Sequence, residues 1–368
     1  MKILYVATIS LTINSFFKPH MEMLVKNGHQ VDIACNYKEL PLDAYYEQLG
    51  CKFHQIDFSR SPLSSDNLKA FNQLKKLVTD EKYNIVHCHT PNASVITRLV
   101  CKKLRKKTGL KVYYTAHGFH FYKGAPKLNW LVFYPVEKIC SRFTDKLITI
   151  NKEDFKLAKS KFKAEEVIYV PGVGVDLSEF ENVKIDKSAK RQSLGVPEDA
   201  VLLTSVGELI PRKNHKIVLS ALSEIKNENV HYAIVGSGTL LSELKAVAEE
   251  LGISQRVHFL GYRKDIAEIY AVSDVCCLPS VHEGLPVALM EAMAAGLPAV
   301  CSRIRGSVDL IDNKGGILFE SGNVDECCRA IEDVINSDMK TMGKNNKEFV
   351  KNYSVDVVIN KMQIVYES

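Results

Sequence analysis

Short apolar segments recur along the whole 368-residue chain, and longer stretches with helical periodicity separate them. Strands of parallel sheets that are covered on both faces have such continuous runs of Val, Ile and Leu, without polar alternation. The pattern predicts strands at Lys2–Ala7, Gln30–Cys35, Asn84–His89, Lys111–Thr115, Asp145–Ile150, Glu166–Val170, Val201–Val206, Val230–Val235, Arg256–Leu260, Asp274–Leu278, Pro298–Ser302 and Gly316–Phe319.

Helical patterns fill the intervals between these segments. Two examples are Ser15–Asn27, closed by Gly28, and Leu240–Leu251, closed by Gly252. Repeated strand–helix–strand units predict an α/β protein with doubly wound parallel sheets. The repetition is interrupted at Pro171–Asp199, which we interpret as a connection between domains with a short helix near 187–194. We therefore expect two Rossmann-like domains that face each other across a cleft, with the loops after the strands as its walls.

The net charge of +5 hides a difference between the two halves of the chain. Residues 1–180 contain 27 Lys and Arg against 17 Asp and Glu, a net charge of +10, and residues 181–368 have a net charge of −5. A basic first half favours an anionic partner, either a membrane surface or a phosphorylated ligand. The basic residues form no nucleic-acid recognition motif, so we expect no nucleic-acid partner.

The sequence has no uninterrupted apolar run of membrane-spanning length. The apolar start of the chain lacks a small-residue cleavage site, so we interpret it as a first strand rather than a signal peptide. The ten cysteines include no Cys-x-x-Cys pair, and several of them lie in strand-like runs, as buried free thiols do. These features predict a protein of the reducing cytoplasm.

The segment Glu283–Glu291 combines two carboxylates with the expected start of a helix. It follows the predicted strand Asp274–Leu278, and Pro286 suits the first helical turn, where its missing N–H costs nothing. Free amides at a helix start favour an anion such as a phosphate. Two carboxylates beside an anion would repel it unless they bind hydroxyls, and sugar or ribose hydroxyls meet that need. The plainer alternative is a capping Glu and an exposed helix Glu, but the Gly-Leu-Pro context favours a ligand site.

Lys213 is the second candidate for chemistry. It follows the predicted strand Val201–Val206 and precedes the next helix, so it belongs at the edge where open α/β sheets bind ligands. A lysine there would stabilise the charge that develops on a leaving diphosphate. The alternative is a solvated surface lysine beside Arg212, which is the usual environment of a lysine.

Two further patterns bear on metals. No Asp-x-Asp occurs, although a metal-dependent transferase would normally hold its diphosphate through such a pair and a divalent ion. His87 and His89 share one face of a predicted strand and Cys88 lies on the other, so we interpret these residues as core rather than as metal ligands. We therefore expect no metal site and no cofactor.

Several segments together resemble family 4 glycosyltransferases, which are retaining enzymes of the GT-B fold, along nearly the whole chain. Glu283–Glu291 is similar to the Glu-x7-Glu motif of that family. The other similar segments are Thr115–Phe119, Pro171–Asp176, Val206–Leu209 leading to Lys213 and Asn214, Phe259–Tyr262, and Ala294–Pro298. The resemblance is strongest to bacterial capsule and exopolysaccharide transferases.

This resemblance implies a donor site in the second domain. Glu291 would bind the donor ribose, Glu283 would contact hydroxyls of the transferred sugar, and Lys213 would neutralise the leaving diphosphate. The other implied donor-binding residues are Gly207, Arg212, Gly261, Tyr262, Gly284, Leu285 and Pro286.

Two positions relate the chain to the family's catalytic pattern. The family usually has Arg directly after the position of Gly207, whereas this chain has Glu208, and Arg212 is the candidate replacement. His117 matches the histidine of the family's first domain that lies near the donor sugar, although an ordinary loop histidine is the alternative. The implied catalytic set is therefore His117, Glu283 and Lys213.

The resemblance also implies a function and assigns the two substrates to different domains. We expect metal-independent, retaining transfer of a hexose or N-acetylhexosamine from a UDP-sugar to a lipid-linked saccharide in capsule or exopolysaccharide synthesis. The acceptor would bind to the domain 1–175, with a C-terminal helix 353–368 packing back on it. The nucleotide sugar would bind to the domain 176–352. The alternatives are an enzyme like UDP-N-acetylglucosamine 2-epimerase and a catalytically silent nucleotide-sugar-binding subunit.

The first half also contains features typical of peripheral membrane proteins. A dense basic cluster lies within 102–107, and the predicted helix in 129–143 carries Trp130, Leu131, Phe133 and Tyr134. Such a surface could rest on anionic lipid, so we expect a cytoplasmic protein at the inner face of the cell membrane. The plainer alternatives are a solvated helix end and a core helix.

Overall fold

Strands and helices alternate through residues 1–181 and 183–368, which the computed structural model describes. The chain divides into an N-terminal unit, Met1–Val173 with Asp356–Ser368, and a C-terminal unit, Gly174–Val355. The division falls two residues before the boundary drawn from the sequence. None of the described helices is long and apolar enough to cross a membrane.

The N-terminal unit is built on a parallel seven-stranded sheet. Its strands are β1 (Lys2–Ile9), β2 (Gln30–Asn36), β3 (Lys52–Gln55), β4 (Ile85–His89), β5 (Lys111–Ala116), β6 (Lys146–Thr149) and β7 (Glu166–Tyr169). They are ordered β3-β2-β1-β4-β5-β6-β7, so the chain winds outward in both directions from β1 and β4. The helices are α1 (Ser10–Phe16), α2 (Lys18–Lys26), α3 (Tyr45–Gln48), α4 (Asp66–Glu81), α5 (Pro91–Thr108), α6 (Lys127–Cys140) and α7 (Lys152–Lys161).

The C-terminal unit has a parallel six-stranded sheet of the same kind. Its strands are β8 (Val201–Val206), β9 (Val230–Val235), β10 (Val257–Gly261), β11 (Val275–Leu278), β12 (Ala299–Ser302) and β13 (Gly316–Phe319), in the order β10-β9-β8-β11-β12-β13. This is the Rossmann order, with the topological switch between β8 and β11. The helices are α8 (Lys187–Ser193), α9 (His215–Glu224), α10 (Leu241–Glu250), α11 (Ile266–Val272), α12 (Val287–Ala295), α13 (Ser307–Leu310), α14 (Val324–Ile335) and α15 (Met339–Val350).

The last helix, α16 (Val355–Glu367), packs on the N-terminal unit. The Tyr366 hydroxyl donates to the hydroxyl of Tyr5 at 2.7 Å, and the Lys146 ammonium donates to the carbonyl of Val365 at 2.7 Å. Both contacts are buried, so the C-terminal end of the chain completes the core of the N-terminal unit.

All twelve predicted strands are present, and two details near them differ from the prediction. Strand β3 was not predicted, because its sequence Lys-Phe-His-Gln has no apolar run and forms a partly exposed sheet edge. The single helix predicted over 15–27 is wrong, since the chain forms α1 and α2 with a break at Phe17. Pro19 lies in the first turn of α2, and its missing N–H interrupts the helical ladder there.

Candidate functional site

Glu283, in the loop between β11 and α12, lies at the centre of a charged cluster in the C-terminal unit. Its Oε1 accepts hydrogen bonds from Lys213 Nζ at 2.8 Å and Ser280 Oγ at 2.8 Å, and its Oε2 lies 2.9 Å from Nη1 of Arg212. Burial alone would raise the pKa of the Glu283 carboxyl. The charges of Lys213 and Arg212 and these hydrogen bonds outweigh the burial and hold the pKa below its ordinary value. Glu283 is therefore a buried, ionised carboxylate that pairs with two cations.

The loop after β8 brings both cations to Glu283. Pro211–Lys213 forms a single 3-10 turn, and Asn214 follows it with a φ of +52°. A Cβ on Gly207 would come within 3.1 Å of Lys213 Cε, so glycine at that position leaves room for the lysine side chain. Arg212 also donates to the backbone carbonyl of His282 at 3.0 Å. Glu208 is exposed, and among the described residues its carboxylate makes no hydrogen bond or ion pair with this cluster.

Arg305 and Gly306 contact the backbone of the loop that contains Glu283. Arg305 is 4% exposed, and its Nε donates to the backbone carbonyl of Glu283 at 3.1 Å. Gly306 has a φ of +85°, and a Cβ there would come within 2.6 Å of the Gly284 carbonyl oxygen. The sequence did not reveal this role of Arg305, because the contact joins two different loops. Arg303 instead lies at the surface, 2.9 Å from Glu320.

The start of α12 presents amides beside the charged cluster. The helix begins at Val287, with Pro286 as its N-cap rather than in its first turn. Within the described residues, the N–H groups of Gly284 and Leu285 donate no hydrogen bond. Amides of this kind at a helix start attract anions, so the loop offers neutral donors next to Lys213.

Glu291 lies one turn into α12 and is partly buried. Its carboxylate has no hydrogen bond or ion pair to another described residue. Burial and the negative charge of Glu179 raise the pKa of Glu291 to about 7. The two glutamates of this segment therefore differ. Two cations balance the charge of Glu283, whereas no cation among the described residues pairs with Glu291.

The remaining predicted donor residues lie on neighbouring loops of the same unit. Gly236 N donates to the carbonyl of Gly261 at 2.8 Å, at the end of β10, whereas Tyr262 is 73% exposed. A Cβ on Gly236 would come within 1.9 Å of the Gly207 carbonyl oxygen. The Gly236 turn therefore packs closely against the loop that carries Arg212 and Lys213.

His117 belongs to a buried aromatic cluster of the N-terminal unit. Its Nε2 lies 3.2 Å from Nδ1 of His89, and the ring of Phe17 packs against both histidines at a tilt. Neither ring nitrogen of His20 has a hydrogen-bond partner among the described residues. Burial lowers the pKa of His117 and of His20 to about 4, so both rings are neutral at neutral pH. The sequence did not indicate His20 or Phe17, because their role depends on how α1 and α2 fold over the sheet.

His87 of the same cluster is a structural residue. Its Nδ1 is hydrogen-bonded to the Tyr366 hydroxyl, and its Nε2 is hydrogen-bonded to Thr115 Oγ1 at 2.8 Å. Cys88 points to the opposite face and contacts the carbonyl of Tyr113. Among the residues that the structure describes, no three His, Cys, Asp or Glu side chains are grouped to hold a metal ion.

Comparison with known proteins identifies the family of the chain. The family described as glycosyl transferase 4-like matches residues 2–151, and the family described as glycosyl transferases group 1 matches residues 186–352. EpsD of Bacillus subtilis, which is assigned as a glycosyltransferase, is 35% identical over 100% of this chain and 96% of its own length. An Escherichia coli UDP-Gal:alpha-D-GlcNAc-diphosphoundecaprenol alpha-1,3-galactosyltransferase is 29% identical over 92% of each chain.

A solved structure shows the same fold over the full length. HepE of Anabaena, crystallised with UDP-glucose, matches with a TM-score of 0.80 and 19% identity, covering 100% of this chain and 99% of its own. The two Rossmann-like sheets and the full-length match define the GT-B fold. The chain therefore belongs to the group 1, family 4-like glycosyltransferases and is an enzyme that transfers a sugar from a nucleotide sugar.

Proposed function

We propose that the enzyme transfers a hexose or N-acetylhexosamine from a UDP-sugar to a saccharide linked through a diphosphate to a lipid, with retention at the anomeric carbon and without a metal. One observation supports the donor part of this proposal: Lys213 and Arg212 pair with the Glu283 carboxylate, beside the free amides of Gly284 and Leu285. Two cations and two amides form a site for a diphosphate that needs no divalent ion.

The same residues account for the chemistry of the leaving group. Glu283 forms ion pairs with both Lys213 and Arg212 and so holds the two cations within the site. The donor diphosphate would draw these cations toward itself, and Glu283 would then accept hydrogen bonds from hydroxyls of the sugar. As the bond from the anomeric carbon to the phosphate oxygen breaks, Lys213 stabilises the charge on that oxygen more than it stabilises the intact donor.

The acceptor oxygen would form its bond on the face that the leaving group vacates. Its proton passes to the departing phosphate oxygen, so no side chain has to act as the general base. Glu291, without a partner of its own, would accept hydrogen bonds from the ribose. His117, neutral at physiological pH, keeps the assignment that the family resemblance implies, as the histidine of the first domain near the donor sugar.

The acceptor half of the proposal is supported by the relatives and by the surface of the N-terminal unit. The E. coli relative is named for a diphosphoundecaprenol-linked acceptor, and EpsD is a full-length relative. Helix α6 exposes an apolar stripe formed by Leu128, Leu131, Val132, Val136 and Ile139. The exposed side chains of Lys102, Lys103, Lys106 and Lys107 on α5 make no ion pair to other described residues. An apolar stripe beside a basic face suits peripheral contact with an anionic membrane.

Thermal stabilisation by nucleotides tests the donor half. We expect UDP and one or more UDP-sugars to raise the melting temperature in the presence of EDTA, whereas other nucleoside diphosphates have a smaller effect. Mass spectrometry with N-acetylglucosamine linked through a diphosphate to a polyprenol should then show a product one sugar heavier. Conversion of the UDP-sugar to an epimer without acceptor would contradict transfer, and abolition of transfer by EDTA would contradict metal independence.

A further inference from the structure

An apolar cavity of about 400 Å³ lies between α5, α6 and the loop that follows β5. Its walls include Val95 and Ile96 of α5, Val132 and Val136 of α6, and Phe119 and Phe121 of the loop. Ligand pockets in proteins are typically roughly 300–1,000 Å³ in volume and mainly apolar, with few polar groups. The cavity is therefore large enough to hold part of a hydrocarbon chain.

The cavity opens at the apolar surface of α6. Val132 and Val136 belong both to the cavity wall and to the exposed stripe of that helix, with 47% and 39% of their surface exposed. Leu63, also at the cavity, is 94% exposed. A lipid chain could enter from a bilayer in contact with α6 without crossing water, because the stripe and the cavity are continuous.

A second, more polar cavity of about 310 Å³ adjoins the first. The two share wall residues, among them Asn92, His120 and Phe133. The second cavity also contains Thr8 and Thr90, whose hydroxyls are hydrogen-bonded at 2.7 Å, where β1 and β4 end. The carboxyl ends of the strands are where open α/β sheets bind their ligands.

Arg60 supplies the charge of this second cavity. Its side chain is exposed, and its guanidinium makes no ion pair with any other residue that the structure describes. Asn92 Nδ2 donates to the carbonyls of Ser59 and Arg60, at 3.0 Å and 2.8 Å, and so anchors the backbone that carries the arginine. A guanidinium pairs well with phosphate oxygens because it can donate two parallel hydrogen bonds.

We propose that these adjoining cavities bind the lipid diphosphate of the acceptor, with the first part of a polyprenyl chain in the apolar cavity and the diphosphate at Arg60. This assignment rests on the proposed function, which supplies a lipid-linked acceptor. It adds a binding site on the lipid itself, in contrast to recognition of the acceptor sugar alone.

Direct binding of a short polyprenyl diphosphate tests the assignment without any sugar donor. Trp130 is the single tryptophan, and its ring centroid lies 5.6 Å from that of Phe121 in the cavity wall, so its fluorescence should report occupancy. We expect farnesyl diphosphate to bind about tenfold or more tightly than isopentenyl diphosphate, because only the longer chain fills the apolar cavity. Equal binding of the two diphosphates would overturn the proposal.

Single substitutions distinguish ligand binding in the two cavities from binding at the surface around them. Val136→Phe puts a ring into the apolar cavity and should weaken farnesyl diphosphate binding by about tenfold. Leu128→Phe makes the same kind of change on the same exposed stripe, away from the cavity wall, and should leave binding unchanged. Arg60→Gln should weaken farnesyl diphosphate binding but not farnesol binding, and Arg329→Gln, which changes an exposed arginine on α14 of the C-terminal unit, serves as its control.

The outcomes also separate this proposal from the proposed function. If Val136→Phe and Leu128→Phe weaken binding equally, the stripe is only a membrane contact and the cavity assignment is wrong. If UDP-sugar transfer proceeds while farnesyl diphosphate does not bind, the enzyme recognises the acceptor sugar and only this proposal fails. If neither UDP nor farnesyl diphosphate binds, the proposed function fails as well. Melting temperatures of all variants show whether each one is folded.

Discussion

Glu283 and Glu291 are separated by one turn of α12 and its loop, yet their carboxylates have opposite surroundings. Glu283 accepts hydrogen bonds from Lys213 and Ser280, and its pKa is held below the ordinary value. Glu291 has no partner among the described residues, and its pKa is raised to about 7. The difference fits the two proposed roles, in which the cations held by Glu283 would meet the donor diphosphate and Glu291 would accept hydrogen bonds from hydroxyls.

Removing the Lys213 charge should impair transfer far more than donor binding. In Lys213→Met, Arg212 still pairs with Glu283, so the loop should keep its fold and bind the nucleotide within about tenfold of the original affinity. Loss of a group that stabilises the leaving oxygen should lower kcat by about 10²–10³-fold. Steady-state kinetics with the best UDP-sugar measure both effects. Lys216→Met, an exposed lysine on α9, is the matched control and should behave as the unaltered enzyme. An equal loss in both variants would remove Lys213 from the mechanism.

Donor affinity should depend on the ionisation of Glu291. In the proposed donor site the ribose hydroxyls would donate to the Glu291 carboxylate, so binding should favour its deprotonated form and weaken as the pH falls through about 7. UDP-glucose is a suitable probe, because its diphosphate is fully esterified at both ends and does not titrate in this range. From pH 8 to pH 6 we expect its dissociation constant to rise by up to about tenfold.

Calorimetry in buffers of different ionisation enthalpy provides an independent measurement, since binding at pH 7 should release protons. Glu291→Gln should bind more weakly and should lose both the pH dependence and the proton release. Retention of the same pH profile in this variant would show that another group is responsible.

A buried ion pair joins α5 to α6 behind the apolar cavity. Arg98 is fully buried, and its guanidinium donates to both carboxylate oxygens of Glu137, at 2.8 Å and 3.0 Å. Glu137→Gln should reduce the free energy of unfolding by about 3 kcal/mol, because the arginine charge would remain buried without its counterion. Urea unfolding measures the change. The exposed pair of Glu348 and Lys351 provides the control, since Glu348→Gln should cost less than about 1 kcal/mol.

The histidine cluster should make the N-terminal unit sensitive to acid. The pKa values of His20 and His117 are lowered to about 4, and those of His87 and His89 lie well below the ordinary value. The unfolded chain therefore binds more protons than the folded one below about pH 6.5, and stability is lost as the pH falls through that value.

Replacing His20 tests this linkage, because neither of its ring nitrogens is hydrogen-bonded. Each buried histidine should cost about 1 kcal/mol of stability at pH 5.5 relative to pH 7.5. His20→Leu should reduce that acid-induced loss by about the same amount. Chemical denaturation at the two pH values measures it, with His120→Asn as the control, since the His120 side chain is exposed. An unchanged pH dependence in His20→Leu would show that His20 is protonated in the folded protein.

Much of the fold was predictable because it depends on short-range patterns. The fully buried β9 is a continuous apolar run, and α10 ends before Gly252, whose φ of +69° favours glycine. Strand β3 was missed because an edge strand needs no apolar run. The helix predicted over 15–27 ignored the missing N–H of Pro19, which separates α1 from α2.

The candidate site was predictable only as a set of residue types at one sheet edge. The position of Arg212 could not be read from the sequence, because its partner Glu283 is 71 residues away along the chain. The support from Arg305 was missed for the same reason. Helix α6 shows a different limit, since its residues allowed either a core helix or a helix that rests on a lipid surface. In the structure its aromatic residues pack inward, and its aliphatic residues form the exposed stripe.

That exposed stripe of α6 should bind anionic membranes. We expect the enzyme to sediment with vesicles of phosphatidylglycerol and phosphatidylcholine but not with phosphatidylcholine alone, because each lysine near an anionic surface contributes about 1 kcal/mol. Leu131→Asp should abolish sedimentation, since it puts a charge in the middle of the stripe, where Leu131 is 74% exposed. Ile364→Asp changes a 63% exposed aliphatic residue on α16 and should have no effect.

The effect of salt distinguishes the electrostatic contribution of the lysines from the apolar contribution of the α6 stripe. Replacement of Lys102, Lys103, Lys106 and Lys107 by Gln should remove the preference for anionic lipid. High salt should have the same effect on the unaltered enzyme and little further effect on the lysine variant. If Leu131→Asp and Ile364→Asp sediment equally well, α6 does not contact the membrane. Transfer to a water-soluble acceptor should be unaffected by all of these changes, because none of them lies in the unit of the proposed donor site or in the walls of the two cavities proposed for the acceptor.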